Sequence, residues 1–155
     1  MYLGLDLGTS SVKAMLMDGR QRIISSASAP LDVARPHPGW SEQDPADWVR
    51  ATLSAVAALK ASNPGELAAV RGIGLSGHMH GATLLDRHDQ VIRPCILWND
   101  TRSHREAAAL DADLRFRTIT GNIVFPGFTA PKLAWVKANE PDNFAKIRWV
   151  LLPKD

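Results

Sequence analysis

Residues 2–18 read YLGLDLGTSSVKAMLMD, and this stretch decides the fold. Leu3, Leu5 and Leu7 alternate with Gly4 and Asp6, the two-residue period of a strand with one buried face. Val12 to Met17 is a second apolar run, separated from the first only by a short turn around Gly8, Thr9 and Ser10. The second strand therefore runs straight back along the first. Asp18-Gly19 marks another tight turn, and residues 22–29 read as a third strand. Three strands joined by two short turns predict an antiparallel meander.

The first turn has a particular chemistry. Asp6 lies where a strand ends, Gly8 lets the backbone approach an anion closely, Thr9 and Ser10 add hydroxyls, and Lys13 adds a positive charge. Phosphate oxygens suit such donors, but a carboxylate beside them repels phosphate unless a cation lies between. Mg²⁺ prefers hard oxygen ligands and keeps several waters. The residues thus read as a hairpin that holds nucleotide phosphates through Mg²⁺, with Asp6 the metal-facing group. It is not a Walker loop, because a strand follows instead of a helix. The short motif also fits a plain β-hairpin.

Beyond the meander, RPHPGWSEQDP (residues 35–45) carries three prolines and a glycine, so it is a loop. Asp44 suits a helix N-cap and Pro45 the first helical position. A helix is predicted from Pro45 to Lys60, with Trp48, Thr52, Ala55, Val56 and Leu59 buried. Residues 70–75 form an apolar strand. A hairpin follows through residues 82–92, then a short apolar run over 95–98 and an alanine-rich helix over 102–110. Residues 121–126 are irregular, Thr129 caps a helix, Pro141 starts a short one, and residues 149–152 form a last strand. Trp40 and Trp48 read as structural. A strand at the very end suggests that the natural chain continues.

Bulk properties exclude several classes. The chain has 155 residues, 45% hydrophobic and 22% charged, with a formal net charge of +2; this is one ordinary globular domain by size. No run of basic residues points to nucleic acid, and no segment reads as a signal peptide or membrane span. The lone Cys95 excludes an internal disulfide and reads as a small buried hydrophobe rather than a reactive thiol. Cytoplasmic residence is the default expectation.

LGLDLGTSSVKAMLMD resembles the phosphate-binding hairpin of the sugar kinase, Hsp70 and actin superfamily. RPHPGWSEQDPADW, GLSGHMHGATLLD, CILWNDTR, TGNIVFPGFTAPKLAWVKANEP and VLLPKD resemble segments of the FGGY carbohydrate kinases, in particular of the xylulose-phosphorylating branch. The resemblance implies an α/β lobe of ribonuclease H-like architecture, a mixed sheet starting with the three-strand meander and flanked by helices. It also implies that the chain is the N-terminal lobe of a two-lobed enzyme. ATP and Mg²⁺ are then the cofactors and D-xylulose the sugar, with a homodimer as a candidate assembly and the aspartate base supplied by the second lobe. Another FGGY substrate (ribulose, gluconate or an alditol) and a non-catalytic sugar- or nucleotide-binding lobe are the alternatives.

For site residues, the resemblance implies that Asp6, Gly8, Thr9, Ser10 and Lys13 serve the phosphates and metal, and that Met79, His80, Trp98 and Asp100 serve the sugar. The chemistry agrees for several of them. Imidazole exchanges hydrogen bonds with hydroxyls, and a thioether or an indole face packs on C–H surface. Without the resemblance, Trp98 reads as a core residue. Asp100 either pairs with Arg102 to shape a wall or binds a hydroxyl. Lys132 either reaches the cleft or is a solvated helix lysine. His78 has no assigned role.

Overall fold

A computed structural model describes all 155 residues, which group into two compact units. The first comprises Met1–Val33, Pro45–His78 and Lys154, the second Ala34–Asp44, Met79–Pro153 and Asp155.

In the first unit, β1 (Tyr2–Leu7), β2 (Ser11–Met17) and β3 (Ile23–Pro30) form the expected antiparallel meander. The fourth strand, β5 (Gly72–Gly77), joins β1 in parallel, so the sheet is mixed in the order β3-β2-β1-β5. Leu3, Leu5, Val12, Ala14 and Leu16 point to one face and are buried against α1 (Pro45–Ser62). The helix starts on a proline with Asp47 in its first turn and Lys60 in its last, each charge opposing the local dipole. Its buried stripe is Trp48, Ala51, Ala55 and Leu59. Ala51 takes the place expected for Thr52, whose hydroxyl instead donates to the Trp48 carbonyl at 2.7 Å. Val56 is only partly buried at the margin. After α1 comes the short α2 (Pro64–Ala68).

Residues 70–75 were expected as the next strand; β5 lies two residues later. Val70 packs into the core, whereas Ile73 and Leu75 on β5 are 63% and 57% exposed. They stand in register with the buried Leu3 and Leu5, yet α1 packs mainly on β2, β3 and part of β1. An edge strand outside that main footprint leaves its apolar side in solvent.

The second unit holds two short antiparallel pairs, β4 (Glu42–Gln43) with β7 (Cys95–Ile96) and β6 (Thr83–Leu85) with β8 (Trp149–Leu151). The expected hairpin closes by a bridge from Leu85 to Val91. Ala82, Leu84, Ile96 and Val136 form its core, with Leu133, Trp135 and Phe144 against them. Its helices are α3 (His104–Asp111), α4 (Leu114–Thr120), α5 (Thr129–Asn139) and α6 (Pro141–Phe144). No apolar periodicity in the sequence marks α4, because its Leu114 and Ile119 are exposed. Its end signals are nevertheless present. Asp113 accepts from the Arg115 N–H as N-cap, and Gly121 closes the helix with a φ of +67°. Thr129 is not the cap of α5: Phe128 holds that place, and the Thr129 hydroxyl goes elsewhere.

Candidate functional site

The turn between β1 and β2 is tight for a physical reason. Gly8 donates its N–H to the Ser11 carbonyl at 3.0 Å, and a Cβ at Gly8 would stand 2.9 Å from that same oxygen. Any other residue would have to displace backbone. Gly8 therefore contributes room, and its own N–H is committed to the turn. Ser10 is exposed beside it and Thr9 half-buried. A strand follows directly, as the apolar run from Val12 to Met17 predicts.

Asp6 lies on the sheet face opposite the core. Across β2 it is paired in register with Lys13, and across β5 with Ser76. Gly4 and Gly74 flank it without side chains, and with Met15 these residues line a shallow depression of about 470 Å³. The carboxylate and the ammonium are both exposed there. No three His, Cys, Asp or Glu side chains gather into a metal cage anywhere in the chain. One exposed carboxylate with hydroxyls nearby fits a Mg²⁺ ion that keeps its waters and takes its remaining oxygens from a phosphate substrate. At the end of β5, His78 donates its N–H to the Leu7 carbonyl at 2.9 Å, and its ring meets Trp48 edge-on at 5.4 Å. His78 is thus built into the same unit as the hairpin, and Trp48 is the structural residue expected.

The residues expected to serve the sugar belong to the second unit. Met79 is 55% and Trp98 43% exposed, large apolar groups turned to solvent. His80 is half-buried, with its ring against Phe128 at 4.6 Å between centroids. Phe128 in turn meets the exposed Phe125 edge-on at 5.6 Å. The 121–128 loop is pinned from two sides. Ser103 donates to the Pro126 carbonyl at 2.9 Å, and Gly127 lies so close to Trp98 that a Cβ would collide with the Trp98 carbonyl oxygen. No site role is expected from the sequence for Phe125, Gly127 or Phe128: residues 121–126 read as irregular, and the family-like segment around them names no site residue.

Lys132 is neither a solvated lysine nor an open cleft residue. It is fully buried on α5, and its Nζ donates to the carbonyls of His80 at 2.6 Å and Gly127 at 2.7 Å. Burial lowers its pKa from 10.5 to about 8. His80 is also held below its usual 6.5, first by burial and then by the Lys132 charge. Cys95 is buried as expected, and burial pushes its thiol up to about 11.

Asp100 is closed off. It has no exposed surface, and both its oxygens are occupied. Oδ2 accepts from the Ser41 N–H at 2.6 Å and Arg102 Nη2 at 2.7 Å; Oδ1 accepts from the Arg102 N–H and Nε, both at 2.9 Å. The expectation of a direct hydroxyl contact gives way to the wall-shaping pair with Arg102. Arg102 lies over the Trp40 ring at 3.5 Å and pairs with Glu42 at 2.7 Å. Glu42 also binds Arg93, which reaches Glu140 at 3.2 Å. This buried, charge-paired network holds the 97–102 turn in one conformation.

The comparisons with known proteins cover the same ground. The model of the FGGY family of carbohydrate kinases, N-terminal domain, matches residues 1–155. Xylulose kinase of Escherichia coli K12 is 50% identical over the whole chain, which covers 32% of that protein. The crystal structure of a "xyloylose kinase" from Brucella ovis superposes with a TM-score of 0.99 at 69% identity, over 99% of this chain and 32% of its own. Xylulose kinase from Rhodospirillum rubrum gives 0.93 at 35% identity over 99% and 32%. These neighbours are sugar kinases of the actin/Hsp70-like fold. The chain spans about a third of the length of the relatives it matches.

Proposed function

The chain belongs to the FGGY family of carbohydrate kinases as its N-terminal domain, and on that premise we propose that it is the sugar-binding part of a cytoplasmic kinase that phosphorylates D-xylulose with ATP, giving D-xylulose 5-phosphate. The observation that carries this reading is the half-buried His80 imidazole, its ring against Phe128 and through it Phe125, with exposed Met79 next to it in the chain and exposed Trp98 on the backbone that Gly127 approaches. A ketopentose offers both C–H surface and hydroxyls to such a set. The similarity to proteins named xylulose kinase supports the choice among sugars.

In the proposed mechanism the chain's residues bind, orient and exclude water. Met79 and Trp98 take the C–H faces, and the His80 imidazole exchanges hydrogen bonds with a hydroxyl. Asp100 acts indirectly, by holding Arg102 and the turn that carries Trp98. At the hairpin, Gly8 lets the chain turn tightly, Thr9, Ser10 and Lys13 face the phosphate oxygens, and Asp6 would hold the hydrated metal. Mg²⁺, when bound, offsets phosphate charge as it develops. The base that accepts the sugar proton comes from the part of the enzyme beyond this domain. Withdrawal of the bound hydroxyl from bulk water favours sugar over water as acceptor.

The test is a substrate panel on the full-length enzyme, with D-xylulose, D-ribulose, gluconate, glycerol and an alditol. D-xylulose is expected to have the highest kcat/KM by roughly 10-fold or more. A higher value for any other compound on the panel assigns the site to that substrate. Sedimentation of the same preparation checks the homodimer.

A further inference from the structure

We propose that Lys132 is the positioning residue of the sugar site, whose buried amine fixes the His80 backbone and the Gly127–Phe128 loop together and so sets how tightly the sugar is held. The inference rests on the reading of this cluster as a sugar site.

His80 has a φ of +63°, in the left-handed region that residues other than glycine seldom enter. Such a backbone persists only where its surroundings hold it. Two donors do so here: Lys132 Nζ at 2.6 Å and Thr129 Oγ1 at 3.3 Å both reach the His80 carbonyl. The same Nζ reaches the Gly127 carbonyl at 2.7 Å. Gly127 lies against the Trp98 carbonyl, and Phe128 lies against the His80 ring. One amine thus ties together the two segments that carry the imidazole and its aromatic backing, and the second of these lies against the backbone that carries the indole.

The placement has no simpler explanation in packing. A fully buried ammonium is costly to desolvate, and methionine would fill the same volume without that cost. Both acceptors are neutral loop carbonyls. The titratable and charged groups that act on the amine are His80, Cys95, Asp100 and Arg102. An apolar side chain would stabilise the core equally well, but it would not hold two loop carbonyls at one point. The charge has a further effect: it helps keep the His80 ring neutral, with one donor and one acceptor for hydroxyls.

The experiment uses the full-length enzyme with two variants, Lys132→Met and Thr129→Val. Lys132→Met is expected to raise KM for D-xylulose roughly 10-fold, with KM for ATP unchanged. Thr129→Val removes the second donor and is expected to act in the same direction by about 2- to 3-fold. In the unliganded enzyme, the His80 imidazole and Trp98 indole NMR signals should move in both variants while the Gly8 amide does not. An unchanged sugar KM in both variants, or equal rises for sugar and ATP, overturns the proposal. If Lys132→Met does not fold, Thr129→Val decides alone. If the wild-type enzyme phosphorylates no sugar on the panel, the functional reading has failed. The NMR signals then decide the positioning role: movement supports it, and unmoved signals overturn it.

Discussion

Asp6 and His80 divide the proposed labour, and substitutions should separate them. Asp6→Asn keeps the shape of the hairpin but removes the charge proposed to face the metal. Turnover is expected to fall roughly 100-fold or more, with sugar KM nearly unchanged. His80→Ala removes a hydrogen bond to an uncharged hydroxyl and should raise sugar KM about 3- to 10-fold, leaving KM for ATP alone. Steady-state kinetics in both substrates checks the pair; matching losses would merge the two roles. The buried titrations give a second prediction. Lys132 titrates at about 8 in the fold against 10.5 unfolded. The unfolded chain binds more protons between those values, so stability rises as pH goes from 8 to 10.5. Cys95 runs the other way, at about 11 folded against 9.0 unfolded, and its contribution is lost between 9 and 11. Wild-type stability should therefore rise from pH 8 to 9 and then flatten. Lys132→Met should lack the rise, and Cys95→Ala should keep rising above pH 9. Urea midpoints across pH 7–10 read this directly, and identical profiles for all three proteins would count against it.

Among the elements, the 121–128 loop is the least legible in the sequence and the most informative in space. FPGF lacks periodicity, so nothing local distinguishes it from a surface loop. Its order comes from Ser103, Lys132 and the Trp98 backbone, all distant in the chain or on other elements. Gly127→Ala tests that close approach. The added methyl has to displace the loop or the Trp98 carbonyl, at a cost of about 1–3 kcal/mol, and sugar KM should rise with it. Thermal melting and kinetics of this one variant check both effects; wild-type values in each would show that the loop moves aside freely. The helix α4 shows the opposite case, since its cap residues Asp113 and Gly121 are plain in the sequence while its exposed apolar positions conceal the period.

At the level of the whole molecule, the sheet edge is the exposed element. Ile73 and Leu75 on β5 lie in solvent in this domain, an apolar strand edge of the kind that pairs with other chains. Residues 1–155 produced alone are expected to self-associate, and a double variant, Ile73→Lys with Leu75→Glu, to do so less. Sedimentation over a concentration series distinguishes them. In the full-length enzyme the Ile73 and Leu75 amides should exchange with deuterium more slowly than in the isolated domain; equal rates would mean that this edge is open in both.

The sequence by itself determined the meander, the turn at Gly8 and helix α1. Each follows from a short-range pattern: alternation, a glycine between two apolar runs, a proline and an acidic residue opening a helix. Its likeness to the FGGY kinases also named Met79, His80 and Trp98. Only the tertiary structure decided what surrounds them. Asp100 is closed by Ser41 and Arg102, Lys132 is drawn inside to two loop carbonyls, and Ile73 and Leu75 on β5 are left exposed. Those outcomes depend on groups far apart in the chain. Whether a charged side chain is solvated or buried is set by the partners that folding brings to it, and local sequence carries no record of their distance.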